Sequence, residues 1–126
     1  MEEDVKYWID LAKYDLKTAE AMLQSRRYIY VLFTCQQAVE KILKALVVKA
    51  SQKFPPRTHD LLKLAQLAKV DLNNEQKEFL AKLSFYYIET RYPEELSKIS
   101  KSITRKIALN YLNKTKEALK WLTKRL

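Results

Sequence analysis

The side chains best able to do chemistry in this chain fall in a few short stretches. The run "YVLFTCQQAVEKILKALV", residues 30–47, carries Gln37 and Lys41 one helical turn apart, with Lys44 three residues on. The spacing lets them line a single groove if the run is helical. The stretch "PPRTHD" holds the chain's one histidine, His59, and "YYIETRYPEE" sets Arg91 and Tyr92 against a proline. Arg91 can grip a phosphate with two prongs, Lys41 adds a point charge, and Tyr92 offers a face on which a base can stack. The first turn of a helix after His59 would add free N–H groups. The competing reading is structural: His59 caps, Arg91 pairs with Glu40 or Glu95, and "YP" only stops a helix. We read Arg91 as part of a shared polar pocket or a dimer seam.

Other chemistries find little support. A zinc-type site needs several His or Cys ligands, and the one histidine and one cysteine lie on different elements. Nucleophile–histidine catalysis leaves no signature here. Cys35 falls on an apolar stripe and reads as a small core residue. We therefore assign no metal ligand, no cofactor and no catalytic residue. The absence of glycine excludes Walker and dinucleotide-binding loops, and it argues against β architectures, whose turns need it.

The elements that must position these residues are helices. Residues 3–24 put Val5, Trp8, Ala12, Leu16, Ala19 and Leu23 on one face. A second helix from Tyr28 to about Lys49 turns Leu32, Cys35, Ala38, Val39, Ile42 and Leu46 inward. Its stripe is wide enough for a central element. "SQKFPPRTHD" is a loop; Thr58 would then cap a short third helix through Leu61, Leu64 and Ala65. Asn73 and Gln76 have capping-box spacing before a fourth helix, which Pro93 ends. A long fifth helix runs from about Ser100 to the C-terminus. The expectation is one all-α domain over residues 1–126, a five-helix up-and-down bundle.

The formal net charge of +9 is unevenly spread. Residues 25–70 carry nine bases against two acids, and residues 100–126 eight against one. The intervening segments are mildly acidic. An anionic partner follows, although lysines on solvated helix faces would give the same pattern. The acidic start "MEEDVKYW", the single cysteine and the lack of any apolar run of about 20 residues point to a cytoplasmic protein outside the membrane. Abundant Lys and Glu hint at a thermophile. The aromatics Tyr28, Tyr30, Phe85 and Trp121 look exposed, which suggests a homodimer.

Taken in series, "FTCQQAVEKILKAL", "PPRTHDLLKL" and "ETRYP" resemble the HEPN domain, in particular the small stand-alone prokaryotic HEPN proteins encoded beside a minimal nucleotidyltransferase. The resemblance covers nearly the whole chain. It implies an all-α bundle paired as a homodimer, nucleotide or RNA handling, and a place in a toxin–antitoxin module. Many members are ribonucleases marked by an arginine followed four to six residues later by a histidine. Here Arg57 precedes His59 by two positions, and no histidine follows Arg91. The resemblance therefore implies a non-catalytic subunit that binds nucleotide through Gln37, Lys41, His59, Arg91 and Tyr92. The alternatives are a ribonuclease toxin with a divergent site joining His59 to Arg91, and a basic helical RNA- or DNA-binding protein.

Overall fold

The computed structural model describes residues 2–126. It contains α1 (Glu2–Gln24), α2 (Tyr28–Ser51), α3 (Leu61–Leu67), α4 (Asn74–Glu89), α5 (Pro93–Ser102) and α6 (Arg105–Thr123), with no strand among the described residues. The expected five helices are thus six. Pro93 does not merely end α4. It opens α5 from the first-turn position, where its missing N–H is not needed and where Glu94 and Glu95 favour the helix dipole. The helix expected from Ser100 instead starts at Arg105, because Thr104 caps it by accepting from the Ile107 amide at 3.2 Å. α5 has no fully buried residue; only Leu96 and Ile99 lean on the core, so its apolar pattern in sequence is faint.

α2 is the central element, packed against each of the other five helices. All six residues expected to face inward from it are buried. A three-residue turn joins α1 to α2, so the two run antiparallel along their length. Ala12, Ala19 and Leu23 of α1 are buried on that seam, where two small side chains let the helices approach closely. α6 supplies Ala108, Leu112, Thr115, Ala118, Leu119 and Leu122. The capping box opening α4 is formed: Asn73 Oδ1 accepts from the Gln76 amide at 2.8 Å, and Gln76 Oε1 from the Asn73 amide at 3.0 Å. Lacking glycine, the chain leaves α1, α2 and α3 through Arg26, Gln52 and Lys69 in the left-handed region, each a modest strain for a residue with a Cβ.

Cys35 is fully buried on α2, as its place on the apolar stripe implied. Burial pushes its thiol up to about 12, and the Lys116 charge opposes this only weakly. The thiolate is the reactive form, so native protein at pH 8 is expected to resist a disulfide reagent such as DTNB. Protein in denaturant should react fully within minutes. Fast labelling of the native state would show that α2 opens far more readily than its packing implies.

Two of the four aromatics expected on the surface are exposed, Tyr30 and Phe85. Tyr28 and Trp121 are instead partly buried against the core. No helix of the described residues is long and apolar enough to cross a membrane.

Candidate functional site

The polar residues of α2 divide into two adjacent faces, because positions 37 and 41 sit about 100° around the helix from positions 36 and 40. The first face looks toward α1. Lys41 Nζ donates to Asp15 Oδ2 at 3.2 Å and to Gln37 Oε1 at 2.9 Å, which ties Gln37 and Lys41 to the α1 seam. The second face is buried. Glu40 is only 2% exposed and Lys44 only 7%, among the apolar core residues of the helix.

Glu40 is the hub of this buried face. Lys44 Nζ meets its Oε2 at 3.0 Å. His59 Nδ1 lies 2.7 Å from its Oε1, and the Gln36 amide donates to the same oxygen at 3.2 Å. A carboxylate acceptor selects the tautomer with the proton on Nδ1, so His59 donates. Burial alone would raise the Glu40 carboxyl. The hydrogen bonds from His59 and Lys44, the Lys44 charge and the Gln36 amide outweigh it and hold the group below the usual carboxylate range. Lys44 also sits 5.4 Å from the centre of the Trp8 ring, a cation–π contact that links α1 to the cluster.

The loop before α3 delivers His59. Gln36 Nε2 donates to the His59 carbonyl at 3.1 Å and fixes the loop backbone over α2. Asp60, not Thr58, caps α3: its Oδ1 accepts from the Leu62 and Lys63 amides at 3.1 and 3.2 Å. Thr58 supports it from two residues upstream, with Oγ1 accepting from the Asp60 amide. The Leu61 amide is spent on Ser84 Oγ at 3.4 Å. The N–H groups expected to be free for an anion are therefore already engaged, and the site must rely on side chains.

α4 supplies the other wall. Tyr87 is buried and stacks on Phe33 of α2 at 5.0 Å between ring centres. The His59 ring lies 4.8 Å from it on a tilt. Arg91, one turn further on, places its guanidinium carbon 4.7 Å from the Tyr87 ring centre, and its Nη2 donates to the Tyr87 hydroxyl at 2.7 Å. Arg91 has no carboxylate within ion-pair distance among the described residues, so neither Glu40 nor Glu95 neutralises it. Glu95 faces Lys98 instead. Tyr92 is exposed and occupies the cap position of α5.

Of the five residues singled out in the sequence, the structure sets His59 and Arg91 each against Tyr87, with Tyr92 adjoining Arg91 in the chain. It directs Gln37 and Lys41 away, toward Asp15. Lys44 holds the central place that the sequence gave no reason to prefer over Lys41. Gln36, Glu40 and Tyr87 complete the cluster and were not expected in it. The signal available for Gln36 and Glu40 was a polar series, shared with Lys44, at i, i+4 and i+8 of α2, which burial permits only when each member finds a partner; Tyr87, on α4, carried no such signal.

The cluster is thus an internal ion network that ends at the surface in two cation-capable groups held on one tyrosine. The chain belongs to the HEPN domain family, whose model matches residues 5–126. The solved structure of TT1696 from Thermus thermophilus is similar, with a TM-score of 0.80 at 26% identity over 97% of this chain and 98% of that one. No curated protein matches the chain.

Proposed function

We propose that this protein is the non-catalytic, phosphate-binding subunit of a two-component system, taking a nucleotide or RNA at the Tyr87 cluster and pairing with a small nucleotidyltransferase. The observation that supports this best is Arg91. Its guanidinium is exposed, held in place by Tyr87 and free of any carboxylate among the described residues, and the same tyrosine ring meets His59. A cation prepared in that way costs little to order when a phosphate arrives. Lys44 offsets the Glu40 charge behind it, so the mouth of the site keeps a positive surplus. Tyr92 and the exposed Phe54 of the neighbouring loop add surfaces for a base. The protein works as a homodimer in this proposal, and the pair forms a toxin–antitoxin module.

Two measurements test it. Calorimetry with ATP, AMP and a short single-stranded RNA should give saturable binding to at least one of them. Co-expression with a minimal nucleotidyltransferase encoded next to the gene should give one co-eluting species on size exclusion. No binding to any of the three ligands, together with separate elution, ends the proposal.

One observation favours a second reading, a ribonuclease with a divergent site. Glu40 orients His59 through Nδ1 and leaves Nε2 without a hydrogen-bond partner among the described residues. An acidic residue, an oriented imidazole and a nearby arginine are the parts that acid–base cleavage of a phosphodiester requires. Cleavage of RNA by the purified protein, abolished in both His59→Ala and Arg91→Ala, would establish it. Cleavage unchanged in both variants would remove it.

A further inference from the structure

α4 and α6 both pack on α2, but they pack little on each other, and aromatic side chains bridge the space between them. Phe79 of α4 stacks on Tyr111 of α6 at 6.0 Å, and Tyr86 meets Tyr111 edge-on at 5.8 Å. Beside these rings opens a cleft of about 440 Å³, lined by the start of α4 and by Tyr111, Lys114, Glu117 and Trp121 of α6. Its size falls within the range of ligand-binding clefts, roughly 300–1,000 Å³. It uses the first half of α4, whereas the Tyr87 cluster lies at the end of that helix.

The rim is acidic on a protein that is otherwise basic. Glu75, Glu78 and Glu117 line the cleft against Lys82 and Lys114. Only Glu78 is paired, with Lys82 at 3.6 Å. Glu75 and Glu117 have no cation within ion-pair distance among the described residues, although the chain carries 24 lysines and arginines. Burial, then Tyr86 and the negative Glu78, push the Tyr111 phenol up to about 12, so it stays neutral at the floor. Two carboxylates without an ion-pair partner beside electron-rich rings suit an organic cation, and the lining as a whole, three glutamates against two lysines, carries one negative charge.

We propose that the α4–α6 cleft docks an arginine side chain presented by a partner protein. Charge complementarity selects a cation, and the aromatic floor selects guanidinium over ammonium. Guanidinium is planar and weakly hydrated, so it can lie flat on Tyr111 or Trp121 while its edges fork to Glu75 and Glu117. Lysine would reach the same carboxylates only as a point charge. The surface is independent of the phosphate site, so either can fail without the other.

The test titrates ¹⁵N-labelled protein with acetylated hexa-arginine amide, using hexa-lysine amide and AMP as comparison ligands. Saturable shifts are expected within residues 74–82 and 111–121, with hexa-arginine bound more tightly than hexa-lysine. The exposed pair Glu75→Gln and Glu117→Gln should weaken hexa-arginine by about fivefold or more while leaving the remaining spectrum unchanged. The absence of saturable shifts, shifts centred on the acidic start of α1, equal affinity for the two peptides, or binding undiminished in the double variant would each overturn the proposal. AMP occupying the cleft would overturn it as well.

Discussion

Glu40→Ala is expected to cost the fold about 3–5 kcal/mol, the range seen when one partner of a buried ion pair is removed. The loss exceeds that of one hydrogen bond because Glu40 serves three donors, from Lys44, His59 and Gln36. Without it the Lys44 ammonium remains buried with only the Trp8 face for company. Urea denaturation would show the effect directly, as would a Tm lowered by roughly 10 °C or more. Adding Lys44→Met to Glu40→Leu should recover a good part of the loss, since removing both charges ends the uncompensated one. A Glu40→Ala protein within about 1 kcal/mol of the wild type would mean that the network contributes nothing to the core. The pH dependence has a definite sign. The Glu40 carboxyl is lowered in the fold from its ordinary value of 4.5, so the stability it contributes is present above that value. That contribution fades as pH falls through the lower folded-state value, and Glu40→Gln should flatten this acid limb.

The same residue marks the limit of what the sequence made legible. The helices themselves were readable, since the inward positions of α2 follow a simple apolar period and are all buried, and the Asn73–Gln76 box formed as its spacing implied. Glu40 and Lys44 have the spacing of an ordinary i,i+4 pair, and nothing local says that a glutamate on α2 will lie beneath a loop. Burial depends on where the loop carrying His59 lands, a long-range contact across 19 residues that no helical period encodes. Lys41 and Lys44 take different partners for a related reason. Both are compatible with one groove along the helix, and the decision belongs to Asp15 on α1, which claims Lys41. α5 was missed because a proline between polar residues reads as a stop, although it is equally suited to a start. Thr58 was preferred to Asp60 as the α3 cap because both are good capping residues, and only the loop path decides between them.

Arg91→Ala is expected to reduce affinity for a phosphate-bearing ligand by about 10- to 100-fold, the equivalent of one or two charge-assisted hydrogen bonds. The fold should barely notice, because Arg91 is exposed and contacts only the rim of the core through Tyr87. Binding by calorimetry and stability by urea denaturation, measured on the same preparations, separate the two effects. Arg91→Lys tests the geometry. It keeps the charge but loses the planar fork and the stacked fit on Tyr87, so it should recover only part of the affinity. Tyr87→Phe keeps the stack on Phe33 but removes the hydroxyl that steadies Arg91, and a loss of about fivefold is expected. Against single-stranded RNA, Arg91→Ala should also lower the slope of log affinity on log salt by about one unit. Such a pattern distinguishes a defined phosphate contact from general attraction to a basic surface, which would survive the loss of one cation among 24. Arg91→Ala binding that equals the wild type at every salt concentration would move the phosphate site away from the Tyr87 cluster.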